Sequence, residues 1–377
     1  MALMNAAPPP WPSRAALRWI LLRNRLRQAL RRSAPARLRR RLRELPWPTG
    51  SSAGPAGAGA VRGAPLASRP TRSNAAGETV ILVYNRMWEQ PLEFPSDAAP
   101  PGVTFTTDRA RFAEAAAVVF HVPGLPPGAL RRLSKPPGQV WVAWSFESAQ
   151  AYPCLDDPRF MRRFDLRMTY RREAEIFMPY LCYYGPDAVE HLRLPPRPKP
   201  GGRGPDSPLC LFLASSYRET SGRTLYVREL MRHLPVHSCG RCLNNRPFPG
   251  DDGSLRAKHD LQSAYKFTLA FENSRGVDYV TEKFFSALIT GSVPVYLGAP
   301  NVADFAPGER CYIDAPALGP PRALAEYLRY LDGHEEAYQE YLAWKTRPFR
   351  AGFLEMAEAA RENPLVRLAR RVLQERP

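Results

Sequence analysis

The chain has 377 residues, enough for two or three domains, and 44% of them are hydrophobic, which excludes a fibrous or wholly disordered protein. The formal net charge is +17, but it is unevenly distributed, because residues 1–77 contain fifteen arginines and one acidic residue, Glu44. That segment carries +14 and the rest of the chain only +3. The basicity therefore belongs to an N-terminal arm, and we expect no nucleic-acid partner for the folded part.

The arm itself, residues 1–77, divides into a basic stretch and a linker. Residues 14–43 predict a basic amphipathic helix broken at Pro35, and residues 48–77 are rich in Gly, Ala, Pro and Ser, as linkers are. This pattern leaves three alternatives: a disordered arm, a peripheral anchor on anionic lipid, or an organelle transit peptide. We find no window of about 18 apolar residues and expect no transmembrane helix.

Beyond the arm, short apolar runs alternate with helical patterns, which predicts parallel sheets. An acceptor-side α/β domain is expected at residues 78–200, and a Pro- and Gly-rich linker at 195–208 ends it. A second α/β domain is expected at 208–350, followed by a helical tail at 351–377. The predicted strands are residues 79–84, 117–122, 140–144, 166–170, 209–214, 267–271 and 293–297. The predicted helices are residues 109–116, 223–233, 279–290, 322–331 and 335–347.

Two doubly wound sheets of this kind enclose a cleft, and ligands bind at the carboxyl ends of their strands. Lys283 lies in the first turn of a predicted helix that follows the strand at 267–271. A lysine there opposes the helix dipole, unless a bound phosphate compensates it. Arg223 begins the preceding helix and reaches the same place. The alternatives are a solvated Glu–Lys pair for Lys283 and an exposed helix-start arginine for Arg223.

Glu147 follows the predicted strand at 140–144 and faces the cleft from the first domain. A partly desolvated glutamate has a raised pKa and can act as a base near neutral pH. The alternative is a loop carboxylate whose hydrogen bonds are satisfied. Cys239 and Cys242 form a lone CxxC motif, which we interpret as structural, and His121 is expected in the core or the cleft wall. No Asp-x-Asp occurs, so the metal-chelating type of nucleotide-sugar site is not predicted.

The most informative run of the sequence consists of FTLAFENS at 267–274, DYVTEKFF at 278–285 and GSVPVYLGAPN at 291–301. Two further runs are WSFES at 144–148 and TYRREAEIFMPY at 169–180. With these motifs the chain resembles the family 10 α-1,3/1,4-fucosyltransferases over roughly residues 79–360, and residues 279–307 are most similar to plant core-type members.

The resemblance implies a glycosyltransferase B-type fold, with two Rossmann-like domains facing a cleft, and GDP-fucose as the donor. It implies inverting transfer to a GlcNAc-type hydroxyl of a glycan or glycoprotein, most simply with α-1,3 linkage. No cofactor is required, although Mn²⁺ or Mg²⁺ stimulation is compatible with the family. It also implies a lumenal Golgi membrane location, with a peripheral cytoplasmic location as the alternative. The implied site residues are the base Glu147 and the donor-binding residues Arg223, Asn273, Tyr279, Glu282 and Lys283.

Two other functions stay open at this point. One is a B-type glycosyltransferase with a different nucleotide-sugar donor, and the other is a catalytically silent, glycan-binding member of the family. Residues 14–43 add a possible contact with an anionic membrane surface.

Overall fold

A computed structural model describes residues 77–87, 94–199, 209–249 and 254–374, all of which fall within the compact unit Val61–Pro377. The arm with residues 14–43 lies outside the described residues. The described chain forms two parallel sheets, and we refer to the elements around strands β1–β6 as the first half and to those around β7–β11 as the second half.

The first sheet has six parallel strands in the order β2-β1-β3-β4-β5-β6. Its central strands β3 and β4 are buried except at Val140, as a sheet covered on both faces requires. The strands are β1 (Thr79–Asn85), β2 (Val103–Thr106), β3 (Ala117–His121), β4 (Val140–Ser145), β5 (Leu166–Thr169) and β6 (Ile176–Phe177).

The second sheet has five parallel strands in the order β11-β10-β9-β7-β8. In both sheets the first strand of the half lies between its second and third strands, which is the flavodoxin-like arrangement. The prediction of two parallel α/β sheets is therefore confirmed. The strands are β7 (Cys210–Phe212), β8 (Val236–Ser238), β9 (Phe267–Phe271), β10 (Val293–Leu297) and β11 (Ile313–Asp314).

Helices cover the sheets and connect the strands. The α-helices are α1 (Pro158–Met161), α2 (Ala188–Arg193), α3 (Arg223–Leu230), α4 (Leu255–Ser263), α5 (Glu282–Thr290), α6 (Ala315–Leu318), α7 (Pro321–Gly333), α8 (Glu335–Gln339), α9 (Ala351–Arg361) and α10 (Pro364–Gln374). The 3₁₀-helices are Ser96–Ala98, Arg109–Ala113, Val122–Gly124, Ala129–Arg132, Pro153–Asp156, Tyr180–Tyr184, Val302–Phe305 and Ala343–Thr346. None of the helices in the described residues is long and apolar enough to cross a membrane.

Three predicted helices need correction. The helix expected from residue 279 begins at Glu282, because Thr281 takes the N-cap position and its side chain accepts from the backbone N–H of Lys283. The helix expected at 109–116 is the short 3₁₀-helix Arg109–Ala113. The helix expected at 335–347 is divided between α8 and the 3₁₀-helix Ala343–Thr346.

Each half has its own sheet, but hydrophobic cores join elements that are distant in the chain. One core joins Tyr180 and Leu181 of the first half to Phe284 and Phe285 of α5. The C-terminal helix α10 packs its apolar side against the first sheet, so the end of the chain belongs to the first half in space. Fully burying a large apolar side chain contributes about 1.5–3 kcal/mol, so these shared cores fix the positions of the loops between the sheets.

Candidate active site

The candidate site lies where the strand order of the second sheet changes direction, between β7 and β9. Arg223, the first residue of α3, spans this point with its guanidinium group. Its Nη1 donates to the carbonyl of Phe271 at the end of β9, and its Nη2 donates to the carbonyl of Ser216 beyond β7, both at 3.0 Å. In open α/β sheets this crevice is the place where ligands bind.

Arg223 is only 2% exposed, so the alternative of an exposed helix-start arginine is wrong. Its buried Nε has no hydrogen-bond partner among the described residues. Within the same part of the chain, no carboxylate lies within ion-pair distance of this guanidinium. A buried cation without a counter-charge is costly, and a bound anion would remove that cost.

Lys283 lies at the start of α5 and is held by three oxygen-bearing side chains. Its Nζ is 2.8 Å from Oε1 of Glu282, 3.0 Å from Oγ1 of Thr281 and 3.6 Å from Oε2 of Glu272. The Glu272 carboxylate is fully buried and accepts from the backbone N–H and the hydroxyl of Thr281, at 2.8 and 2.7 Å. The Glu–Lys pair named as the alternative therefore exists. It is not fully solvated, because the lysine side chain is only 22% exposed.

The pKa values of these groups follow their burial and mutual charges. Burial raises the pKa of Glu272, against the opposing charge of Lys283. Burial also opposes the charge on Lys283, yet Glu282 and Glu272 overcome it and raise the pKa of the lysine. Burial would raise the pKa of Glu282, but Lys283 holds it below its usual range. The lysine thus stays protonated, and its charge is partly balanced before any ligand binds.

Asn273 and Tyr279 occupy the loop between β9 and α5. The backbone carbonyl of Asn273 accepts from the N–H groups of Thr220 and Ser221, at 2.7 and 3.2 Å. The buried side-chain Oδ1 of Asn273 has no hydrogen-bond partner among the residues the structure describes. Tyr279 is 2% exposed and packs edge-on against Tyr170, with ring centroids 5.0 Å apart. Asn273 therefore has a free acceptor, whereas Tyr279 belongs to the core between the halves.

Glu147 reaches the site from the first half, two residues after β4 ends at Ser145. Its backbone N–H donates to Oγ of Ser145 at 2.9 Å, which fixes the turn. Among the described residues its carboxylate has no hydrogen-bond or ion-pair partner, and the residue is partly exposed, so its role as a base, rather than as a loop carboxylate satisfied by solvent, stays a prediction. Burial raises the pKa of Glu147, while the nearby charge of Lys283 opposes the rise.

Contacts across the cleft hold the two sets of loops together. Oγ of Ser148, the residue after Glu147, lies 2.6 Å from Oγ of Ser274, the residue after Asn273. The side-chain oxygen of Gln150 accepts from Oγ1 of Thr220 at 3.0 Å and from the N–H of Arg275 at 3.1 Å. The structure therefore brings Glu147 into the same site as Arg223 and Lys283, although they lie far apart in the sequence.

Two residues of this site, Glu272 and Arg218, carry no distinguishing signal in the sequence. Glu272 lies within the FENS run, but its role in holding Lys283 depends on a contact that only folding creates. Arg218 is an exposed cation in the loop after β7, and its charge also lowers the pKa of Glu147. Neither spacing nor residue type distinguished these two from ordinary loop residues.

The remaining candidates behave as structural residues. All six cysteines carry free thiols, and Cys239 and Cys242 are buried in different hydrophobic clusters. His121 is fully buried beside Trp144, and burial lowers its pKa to about 4, in agreement with the expected core position. Within the described ranges, no group of three or more His, Cys, Asp or Glu residues is arranged to hold a metal ion.

Comparison with known proteins gives two family matches. The model described as glycosyltransferase family 10 (fucosyltransferase) C-term matches residues 206–375, and the model described as fucosyltransferase, N-terminal, matches residues 76–181. Together they span most of the chain. They also contain all of the site residues named above.

Similar proteins include alpha-(1,3)-fucosyltransferase B of Drosophila melanogaster, 32% identical over 247 residues, which are 63% of this chain and 55% of that protein. Alpha-(1,3)-fucosyltransferase 4 of Mus musculus is 32% identical over 65% of this chain and 63% of its own length. GDP-fucose protein O-fucosyltransferase 3 of Bos taurus is 36% identical over 55% of this chain and 45% of its own length. The chain thus matches about half to three-fifths of these relatives.

Among solved structures, an alpha1,3-fucosyltransferase with GDP-fucose aligns with a TM-score of 0.49 and 17% identity. That alignment covers 78% of this chain and 95% of the other.

Proposed function

The chain belongs to glycosyltransferase family 10, and on that premise we propose that it transfers L-fucose from GDP-fucose, with inversion, to a GlcNAc-type hydroxyl of a glycan. The α-1,3 linkage is the one named for two of its relatives. The observation that carries the proposal is Arg223, a buried cation at the strand-switch point without a carboxylate partner among the described residues.

The donor diphosphate would supply the missing counter-charge. Arg223 approaches it from the start of α3 and Lys283 from the start of α5. Both cations would stabilise the negative charge that develops on the leaving GDP as the bond to the fucose anomeric carbon breaks. Asn273 supports the same assignment, since its unpartnered Oδ1 can accept a hydrogen bond from a hydroxyl group of GDP-fucose. Glu282, which pairs with Lys283, completes the proposed donor site, whereas Tyr279 is buried in the core behind it.

Glu147 is the proposed general base. As the acceptor hydroxyl oxygen bonds to the anomeric carbon, its proton passes to the Glu147 carboxylate, and the carbon–oxygen bond to the diphosphate breaks on the opposite face. A single base without a covalent intermediate gives inversion. The raised pKa of Glu147 suits this role, because a base near neutral pH must hold the proton it receives.

We further propose that transfer requires no metal ion, with Mn²⁺ or Mg²⁺ acting at most as stimulators. Two fixed cations at the diphosphate do the electrostatic work that a metal ion performs in other glycosyltransferases. The proposal rests on the positions of Arg223 and Lys283.

A protein hydroxyl is the second candidate acceptor. It is favoured by the 36% identity to GDP-fucose protein O-fucosyltransferase 3 of Bos taurus, whose name states a protein acceptor. The donor site is the same in both cases. A lumenal Golgi membrane location is proposed from family resemblance, and a peripheral cytoplasmic location through residues 14–43 is the alternative.

The donor assignment is tested by thermal unfolding with nucleotides. GDP-fucose and GDP are expected to stabilise the protein by about 2.7 kcal/mol at a hundredfold excess over the dissociation constant. UDP-GlcNAc and CMP-sialate are expected to stabilise it much less. Equal stabilisation by UDP-GlcNAc would indicate another nucleotide-sugar donor. Binding of GDP without turnover of GDP-fucose would indicate a catalytically silent member of the family.

A further inference from the structure

The 3₁₀-helix Tyr180–Tyr184 lies between the loop of Glu147 and the start of α5. The hydroxyl of Tyr180 donates to the carbonyl of Phe146, which is the peptide group joined to Glu147. The hydroxyl of Tyr184 donates to the carbonyl of Glu282 at 3.1 Å. One short helix therefore touches the backbone of the proposed base at one end and that of a donor-site residue at the other.

Tyr183 lies on this helix between the two anchoring tyrosines but faces solvent. Its side chain is 45% exposed, whereas Tyr180 and Tyr184 are 6% and 8% exposed. Its ring stacks on that of Tyr180, with centroids 5.6 Å apart and planes at 20°, and it leans against Phe146 at 5.1 Å. The exposed face is thus supported from behind by a fixed aromatic pair.

The surroundings of Tyr183 are acidic as well as aromatic. Burial on its inner side raises the pKa of Tyr183, and the charges of Glu282 and Glu147 raise it further, so its hydroxyl stays protonated. A molecule resting on this ring would therefore meet an apolar face that lies within the field of two carboxylates. A pyranose has the matching chemistry, because it presents C–H groups on its face and hydroxyl donors around its rim.

We propose that Tyr183 is the platform on which the acceptor sugar ring stacks, so that its reacting hydroxyl is directed towards Glu147. This inference rests on the proposed function and deepens it by assigning the acceptor side of the cleft. A sugar is favoured over a polypeptide because the exposed surface is a single aromatic ring, which matches one pyranose better than an extended chain.

The test is steady-state transfer to N-acetyllactosamine and chitotriose by Tyr183→Ala, Tyr183→Leu and Tyr183→Phe. We expect the acceptor KM to rise about tenfold in the Ala and Leu variants, since an aromatic contact contributes on this scale. Phe should keep the KM within about twofold, because the ring is retained. The Kd for GDP should not change. Tyr330→Ala on α7 is the matched control, since Tyr330 is 49% exposed.

Saturation-transfer NMR with chitotriose measures sugar contact without turnover, and loss of its signals in Tyr183→Ala supports the platform even if no fucose is transferred. An unchanged acceptor KM or NMR signal in that variant overturns the proposal. The proposal is also overturned if Tyr183→Ala transfers fucose to sugars as well as the wild type does but transfers it poorly to a folded protein. If the wild type hydrolyses GDP-fucose but neither binds nor fucosylates these sugars, the platform is wrong while the donor site stands. Failure of GDP to stabilise the wild type contradicts the proposed function instead.

Discussion

Ser148 and Ser274 form a hydrogen bond of 2.6 Å between their hydroxyl groups, although 126 residues separate them in the chain. Both side chains are buried, at 0% and 1% exposure. Ser148 follows the proposed base Glu147, and Ser274 follows Asn273 in the donor loop. The bond therefore ties the loop of the proposed base to the proposed donor loop.

Removing this bond should affect both stability and transfer. A double-mutant cycle of Ser148→Ala and Ser274→Ala is expected to give a coupling energy of about 1 kcal/mol in urea unfolding. Because the loop of Glu147 loses its tie to the donor loop, kcat for transfer should fall several-fold, while the Kd for GDP changes little.

The matched control is the buried hydroxyl pair Thr268 and Ser292, whose oxygens lie 2.8 Å apart within the second half. Thr268→Val with Ser292→Ala should show a similar stability coupling but no specific loss of kcat. Equal kinetic effects in both cycles would mean that the Ser148–Ser274 bond contributes only to folding.

The two cations of the donor site should be needed for turnover. Arg223→Met and Lys283→Met each keep most of the side-chain volume and remove the charge. We expect kcat to fall by about two to three orders of magnitude, which is the usual effect of removing one group that stabilises charge in the transition state. GDP affinity should weaken as well, because the diphosphate is charged before and after transfer. Fluorescence titration and initial rates measure the two effects.

Arg228→Met is the matched control for Arg223, since Arg228 is exposed on the same helix. The unliganded Arg223→Met protein should lose little stability, because it no longer buries a charge without an anionic partner. Near-wild-type kinetics in Arg223→Met would remove the basis of the proposed donor site.

Metal independence is tested with a chelator. Initial rates should persist in excess EDTA, because the proposed mechanism assigns the charge compensation at the diphosphate to Arg223 and Lys283. Added Mn²⁺ or Mg²⁺ should stimulate the rate modestly at most. Complete loss in EDTA that manganese restores would contradict this mechanism.

The sequence predicted the sheets well because parallel strands that are buried on both faces require continuous apolar runs. β9 and β10 have the bounds predicted from such runs. The sequence pattern placed the start of α5 three residues too early. Tyr279 and Val280 are apolar because they are buried in the core between the halves, and the helix begins only after them. Local pattern could not reveal this, since the burial of Tyr279 depends on Tyr170 and Tyr180 from the other half.

The same limit applies to the site. Arg223, Lys283 and Glu147 were selected as candidates from their positions after strands and at helix starts, and folding brings their loops together. The exposed ring of Tyr183 was not selected, since three of the five residues at Tyr180–Tyr184 are tyrosines and only folding distinguishes the exposed one. Similarly, the helical tail expected at 351–377 contains α10, whose packing against the first sheet is a tertiary contact that local pattern does not reveal.

The N-terminal arm has a separate prediction. Because residues 1–77 carry +14 against +3 for the rest, deleting them should reduce binding to vesicles that contain phosphatidylserine. Each basic residue near such a surface contributes about 1 kcal/mol. GDP-induced stabilisation should be unaffected, since the described site lies wholly outside the arm. Unchanged vesicle sedimentation after deletion would exclude the membrane-anchor alternative.

Glu147→Gln is the sharpest test of the mechanism. The variant should still bind GDP-fucose, because the proposed donor contacts lie in the second half. It should lose transfer by about 10²–10⁴-fold, because an amide cannot accept the proton of the acceptor hydroxyl. Transfer rates and GDP-fucose binding are measured on the same preparation. A variant that keeps more than about a tenth of wild-type turnover would require another base.

The pH dependence gives this test a second readout. Burial raises the pKa of Glu147, so the wild-type rate should rise with pH through a value above the ordinary carboxyl pKa, and the variant should lack that limb. The ionisation that raises the transfer rate lowers the stability of the fold. A carboxyl whose pKa is raised in the folded state destabilises the fold once the pH exceeds that pKa, because its charged form is partly desolvated there. Glu147→Gln should therefore be more stable than the wild type at neutral pH and no more stable at low pH, which a residue serving only to cap its loop would not produce.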